Sequence, residues 1–100
     1  MKNHIYTIDE IRERIVPIAQ RFGLKRVILF GSYARNDATK DSDIDLIIKL
    51  NHSIGLFAFN EMVEAFENAL EKNVDCITED SVSLEFRFEI LDDEVLLYAA

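Results

Sequence analysis

The 100-residue chain contains one cysteine, one proline and three glycines. With Cys76 as its only thiol it can form no internal disulfide, so a disulfide-stapled scaffold is excluded and a reducing compartment is expected. No apolar run is long enough to cross a bilayer, and the opening Met1-Lys2-Asn3-His4-Ile5-Tyr6 lacks the continuous apolar stretch of a signal peptide, which together point to the cytoplasm. Without a secretory signal, the glycosylation-like Asn51-His52-Ser53 has no consequence. Repeats, low-complexity tracts and interdomain linkers are also missing. Positive charge is in deficit: 11 basic side chains face 19 acidic ones, for a net charge of −8. A broad phosphate-tracking surface is therefore excluded, and direct nucleic-acid binding is disfavoured. A triphosphate is not excluded, because divalent cations invert the field around a carboxylate cluster.

What the chain does have is apolar residues, 49% of the total. That suffices for one compact domain over residues 1–100 with its own core. Thr7 and Glu10 have capping-box spacing, and Ile8, Ile11, Ile15, Ile18 and Phe22 follow at helical intervals until Gly23. Pro17 lies inside this first helix and removes a backbone donor, so a kink or an early break is expected there. Val27-Ile28-Leu29-Phe30 reads as a buried strand ending at Gly31. A polar stretch to Ser42 follows, with one helical turn around Ala34 and Arg35, before a second strand over Ile44 to Leu50. Phe59, Met62, Val63, Phe66, Ala69 and Leu70 mark the inner face of a second long helix ending near Lys72-Asn73, with Glu61, Glu64, Glu67, Glu71 and Lys72 outside. Val74 to Thr78 is a third strand and Glu94 to Tyr98 a last one. The segment from Leu84 to Ile90 alternates as a strand would, yet Val82, Phe86 and Ile90 also fall at helical spacing, and periodicity alone leaves both open.

Two patterns carry chemistry. Side chains two apart on a strand share a face, so Asp43 and Asp45 project together while Ile44, Leu46, Ile48 and Leu50 point to the core. Two such carboxylates repel by about 4 kcal/mol near a protein surface unless a cation or proton sits between them. Mg²⁺ takes oxygen ligands, commonly one or two carboxylates with water and substrate phosphate completing the shell, and suits this pair. Upstream, Gly31-Ser32 stands at a strand end where a helical turn begins; exposed backbone N–H groups, a glycine that allows close approach and the Ser32 hydroxyl make a phosphate seat.

Gly31-Ser32, ten residues, then Asp43-Ile44-Asp45 resembles the signature of the polymerase-β-like nucleotidyltransferase superfamily. The wider strings Phe30-Gly31-Ser32-Tyr33-Ala34-Arg35 and Ser42-Asp43-Ile44-Asp45-Leu46 are similar to the minimal nucleotidyltransferase (MNT) antitoxins, partners of HEPN-domain toxins. The likeness extends through Leu56-Phe57 to Lys72-Asn73-Val74-Asp75 and covers most of the chain. It implies an α/β (α+β) single nucleotidyltransferase domain, with a mixed β-sheet of about four strands flanked by helices. By position it implies Asp43, Asp45 and Asp75 as catalytic metal ligands, Asp75 also helping to activate the attacking hydroxyl. Gly31 and Ser32 would be nucleotide contacts, with Mg²⁺ as cofactor and ATP as substrate; Arg35, from the loop it occupies, is a candidate phosphate partner beside them or else an ordinary surface charge. The implied reaction is AMP transfer to a tyrosine of a cognate HEPN RNase toxin, which makes the chain an antitoxin. Two alternatives stay open: neutralisation of the toxin by binding alone, and transfer to another acceptor such as RNA. Many relatives carry glycine where this chain has Asn36; asparagine tolerates positive φ, so the turn should survive. The resemblance also assigns Leu84 to Leu91 to a helix.

Several residues have ordinary readings. Asp75 on an edge strand could face solvent, though its parity matches Ile77 rather than Val74. Lys40 reads as a surface charge, and His4 and His52 as surface residues without partners at metal-ligand spacing. Cys76 is expected in the core, the Glu-rich face of the second long helix in solvent, and Phe86, Phe88 and Tyr98 in the core or at an interface.

Overall fold

A computed structural model describes residues 3–100; Met1 and Lys2, part of the amino-terminal stretch considered for a signal peptide, lie outside it. The chain runs α1 (Ile8–Arg21), β1 (Leu24–Phe30), α2 (Ser32–Arg35), β2 (Ile44–Leu50), α3 (Leu56–Leu70), β3 (Val74–Thr78), α4 (Leu84–Ile90) and β4 (Val95–Ala99). A 3₁₀ turn at Glu79–Ser81 precedes α4, and another at Leu91–Asp93 follows it. The four strands form one mixed sheet in the order β3-β2-β1-β4, with β2 and β3 parallel and both β1 pairings antiparallel. No described helix is long and apolar enough to cross a membrane.

Local chemistry starts and stops these elements. Thr7 caps α1: its hydroxyl accepts the Glu10 N–H while the Glu10 carboxylate accepts the Thr7 N–H, the reciprocal capping box. The helix runs unbroken through Pro17, so the expected early break does not occur. Pro17 is exposed, and the Glu13 carbonyl that its missing N–H would have bonded can turn to water instead. His4, expected at the surface, is partly buried: it lies 3.0 Å from the Glu10 carboxylate and packs edge-on against Tyr6 at 4.6 Å.

α1 and α3 lie on one face of the sheet. Ile11, Ile15 and Ala19 of α1 and Met62, Phe66 and Leu70 of α3 interleave with Val27 and Leu29 of β1 and Ile44, Leu46 and Ile48 of β2. Tyr98 packs against the margin of this core. On the opposite sheet face Ile28 and Ile47 are also buried, outside that cluster. The Glu79–Ser81 turn and α4 cover part of this second face. Phe86 stacks edge-on against Phe30 at 5.6 Å, Arg26 makes a two-pronged bond to Glu79 at 2.9 and 3.0 Å, and Lys49 reaches Asp80 at 2.6 Å.

The ambiguous segment is a helix. The Ser83 hydroxyl accepts the Phe86 N–H at 3.1 Å and so opens α4. Strict alternation in a helix sends consecutive apolar residues about 200° apart, onto two sides at once. Phe86 turns in against the sheet, whereas Leu84 and Phe88 turn out and remain 78% and 75% exposed.

Candidate active site

β1 ends at Gly31, whose φ of 77° and ψ of −156° belong to backbone that only glycine adopts readily. α2 then makes a single turn anchored by Tyr33, which is buried in the core. Asn36 closes it in the left-handed conformation, φ 67°, as the glycine-to-asparagine departure required. The Asp37 N–H donates to the Ser32 carbonyl at 3.0 Å and the Arg35 N–H to the Gly31 carbonyl at 3.0 Å. The loop leading to Asp43 is fixed in the same way: the Thr39 N–H donates to the Ser42 hydroxyl at 2.9 Å and the Ser42 N–H returns to the Thr39 carbonyl at 3.1 Å.

Strand register brings the acidic residues together. In the parallel pairing of β2 with β3, Asp45 stands opposite Asp75 and Ile47 opposite Ile77; in the antiparallel pairing with β1, Asp45 stands opposite Phe30. Asp45 and Asp75 therefore lie on neighbouring strands, on the sheet face away from α1 and α3. β3 is the edge strand and Asp75 is exposed on it, as the ordinary reading of its position expected, and it stands in register with Asp45. Two further bonds lock this register. The Ile44 N–H donates to the Asn73 carbonyl at 3.1 Å, and the Val74 N–H donates to the Glu67 carboxylate at 3.1 Å.

Asp45 registers the crowding. Burial, then the charges of Asp75 and Asp43, push its carboxyl up to about 6, while Arg35 pulls in the opposite direction. The other three groups named from the sequence, two carboxylates and one guanidinium, are thus within electrostatic reach of Asp45. Arg35 also sits 3.3 Å from Asp37. Gly31 adjoins the cluster so closely that a methyl group on it would overlap the Asp45 carboxylate. Among the described residues no three His, Cys, Asp or Glu side chains are already arranged as a closed metal-ligand set. The donor chemistry nevertheless fits a hard divalent ion: oxygen ligands only, with a central carboxylate whose ionisation is opposed by its two neighbours. Beside the cluster opens a cavity of about 590 Å³, lined by Lys40, Ser42, Asp43, Glu67, Asn68 and Asn73. Of the three carboxylates only Asp43 lines it.

Glu67 is the residue that sequence reasoning misplaced. Its regular spacing with Glu61 and Glu64 put it on a solvated helix face, yet it is half-buried and holds the first residue of β3. Nothing in the local pattern separates it from its neighbours; only the return of β3 alongside β2 does. Cys76 packs against the margin of the core, and burial with the adjacent Asp75 charge pushes its thiol up to about 12, which leaves it unreactive.

Against known proteins, the model of the family described as polymerase beta, nucleotidyltransferase matches residues 13–100. A Methanocaldococcus jannaschii protein named "Putative protein adenylyltransferase" is 35% identical over 88 residues, spanning 88% of this chain and 95% of its own length. Protein adenylyltransferase MntA of Thermococcus cleftensis is 31% identical over 80 residues, spanning 76% of this chain and 81% of its own. Among solved structures, a chain of a toxin–antitoxin complex with AMP-PNP superposes with a TM-score of 0.75 at 22% identity, covering 89% of this chain and 73% of that one. A chain of the complex between tri-AMPylated Shewanella oneidensis HEPN toxin and MNT antitoxin superposes with a TM-score of 0.70 at 20% identity, covering 94% and 74%. At those identities the two structural likenesses carry the fold alone.

Proposed function

The chain belongs to the polymerase beta nucleotidyltransferase family, and from that premise we propose that it transfers AMP from ATP to a tyrosine hydroxyl of a cognate HEPN-domain toxin, silencing it as an antitoxin. The observation that carries the proposal is the register of Asp45 opposite Asp75, with Asp43 two residues away and Gly31 abutting the same carboxylate. The names of the relatives support nucleotidyl transfer, from nucleotide to protein, and the HEPN complexes support the kind of acceptor.

In this reading Gly31 and Ser32 seat the triphosphate: the missing side chain lets phosphate approach the backbone, and the first turn of α2 presents N–H groups that lack partners within the helix. Arg35, at the end of that turn, neutralises phosphate charge. Asp43, Asp45 and Asp75 would hold Mg²⁺, which when bound offsets the charge building on the transferred phosphoryl group and the leaving pyrophosphate. The tyrosine oxygen attacks the α-phosphorus of ATP, the bond to the bridging oxygen of pyrophosphate breaks, and the phenolic proton leaves to a base. Asp75 fits that last role, because it is exposed on the edge strand where an incoming hydroxyl first meets the cluster.

Intact-mass measurement of the cognate HEPN protein after incubation with this chain, ATP and Mg²⁺ tests the proposal. A gain of one or more AMP units that disappears with Asp43→Ala and Asp45→Ala is the expected result. Unchanged mass together with inhibition of the toxin would assign neutralisation to binding alone; labelled RNA in place of labelled protein would assign a different acceptor.

A further inference from the structure

α4 is apolar on two sides, and only one of them is covered. Phe86 packs on Phe30, while Leu84, Phe88 and Leu91 form an outward stripe with 78%, 75% and 59% exposure. With Arg87 they line a groove of about 290 Å³. A helix with two apolar sides normally has both buried, so the outward stripe calls for an occupant.

Charge and position narrow the choice. Glu85 and Glu89 lie along one flank of the stripe, with Asp92 just beyond the helix end, and all three are exposed. The one cation at the groove among the described residues, Arg87, is committed elsewhere: it bonds Glu94 at 2.8 and 3.1 Å and lies 3.6 Å from Glu79. A second copy of this chain, paired stripe to stripe, would oppose acidic flanks on molecules that each carry a charge of −8. Anionic lipid would be repelled for the same reason. A partner with basic residues beside an apolar ridge is complementary.

α4 also stands on the same sheet face as the carboxylates, since Phe30, which supports Phe86, is the cross-strand partner of Asp45. The opposite face is filled by α1 and α3. A macromolecule that delivers a hydroxyl to Asp45 and Asp75 therefore arrives beside α4. We propose that Leu84, Phe88 and Leu91 are the docking stripe for the acceptor protein, filled by the apolar ridge of an amphipathic helix whose flanking Lys or Arg side chains meet Glu85, Glu89 and Asp92. The assignment of the occupant rests on the protein-acceptor reading above.

The test uses Phe88→Asp and the charge-reversing pair Glu85→Lys with Glu89→Lys, all at exposed positions outside the nucleotide site. Complex formation with the cognate HEPN protein is measured by calorimetry, AMP transfer by intact mass, and Mg²⁺·ATP binding with melting temperature as controls. Phe88→Asp should weaken the complex at least about tenfold, slow transfer at low partner concentration, and leave nucleotide binding and melting unchanged. The Lys pair should weaken the complex and flatten its salt dependence. Wild-type affinity of a folded Phe88→Asp chain for the HEPN protein overturns the proposal. So does a changed monomer–dimer distribution with HEPN binding untouched, which would assign the stripe to a second copy, and so does a wild-type chain that binds no HEPN protein. Loss of the complex in Phe88→Asp when even the wild type transfers no AMP would uphold the docking stripe and sink the transfer reading alone.

Discussion

Gly31 abuts Asp45 so closely that it cannot gain a side chain while Asp45 stays: a methyl group on Gly31 would lie 3.1 Å from the Asp45 carboxyl carbon and overlap one of its oxygens. Gly23 has similar backbone, φ 65°, with nothing within 4 Å of where a methyl group would be added. Gly23→Ala should therefore cost only the left-handed penalty, about 1 kcal/mol, and Gly31→Ala about 2–3 kcal/mol. Because the clash is with one side chain, Gly31→Ala combined with Asp45→Ala should be less destabilised than the sum of the two. Urea denaturation of the four proteins checks this; strict additivity would contradict the contact.

The carboxyl of Asp45 gives a pH dependence of defined sign. Its folded pKa is raised from 3.8 to about 6, so the folded state takes up a proton in that interval that the unfolded chain does not. The ionised form opposes folding: the penalty is absent below pH 4 and complete above 6. Two units correspond to roughly 3 kcal/mol, which solvent screening of this partly exposed group lowers to about 1–2 kcal/mol. In chelator-treated protein, Asp45→Asn should be more stable than wild type by that amount at pH 7.5, with the gain shrinking through pH 6 and gone near pH 4. Thermal melts across this range decide it; a variant less stable than wild type at pH 7.5 would show that the carboxylate is not repelled by its neighbours.

Glu67 is not one of the proposed ligands, yet its carboxylate accepts the Val74 N–H, one residue before Asp75. Glu67→Ala leaves that donor without its acceptor and should cost about 1–2 kcal/mol, whereas Glu67→Gln, which keeps an acceptor oxygen, should cost less. Mg²⁺·ATP affinity should fall in the alanine variant and recover in the glutamine one. Equal affinity in both would mean that the β3 register is held without Glu67.

Much of this was legible before any coordinates. Capping chemistry at Thr7 and Glu10, the β-branched run of β1 and the apolar alternation from Ile44 are local signals, and each produced the element expected. The juxtaposition of Asp45 with Asp75 was legible only through the family resemblance, because it depends on β3 lying parallel beside β2, a pairing of residues thirty positions apart. α4 misleads for a physical reason. Its alternation meets the rule for a half-buried strand, but Ser83 caps a helix and leaves the second apolar side uncovered. Pro17 failed to break α1 because its lost hydrogen bond falls on the solvent side.

Calorimetric titration of ATP into the chain, with and without Mg²⁺, tests the shared carboxylate site most directly. Binding should require Mg²⁺ in the wild type and be lost in Asp45→Asn and Asp75→Asn chains that remain folded. Mg²⁺-independent binding of the same strength, or wild-type affinity in both asparagine variants, would contradict it.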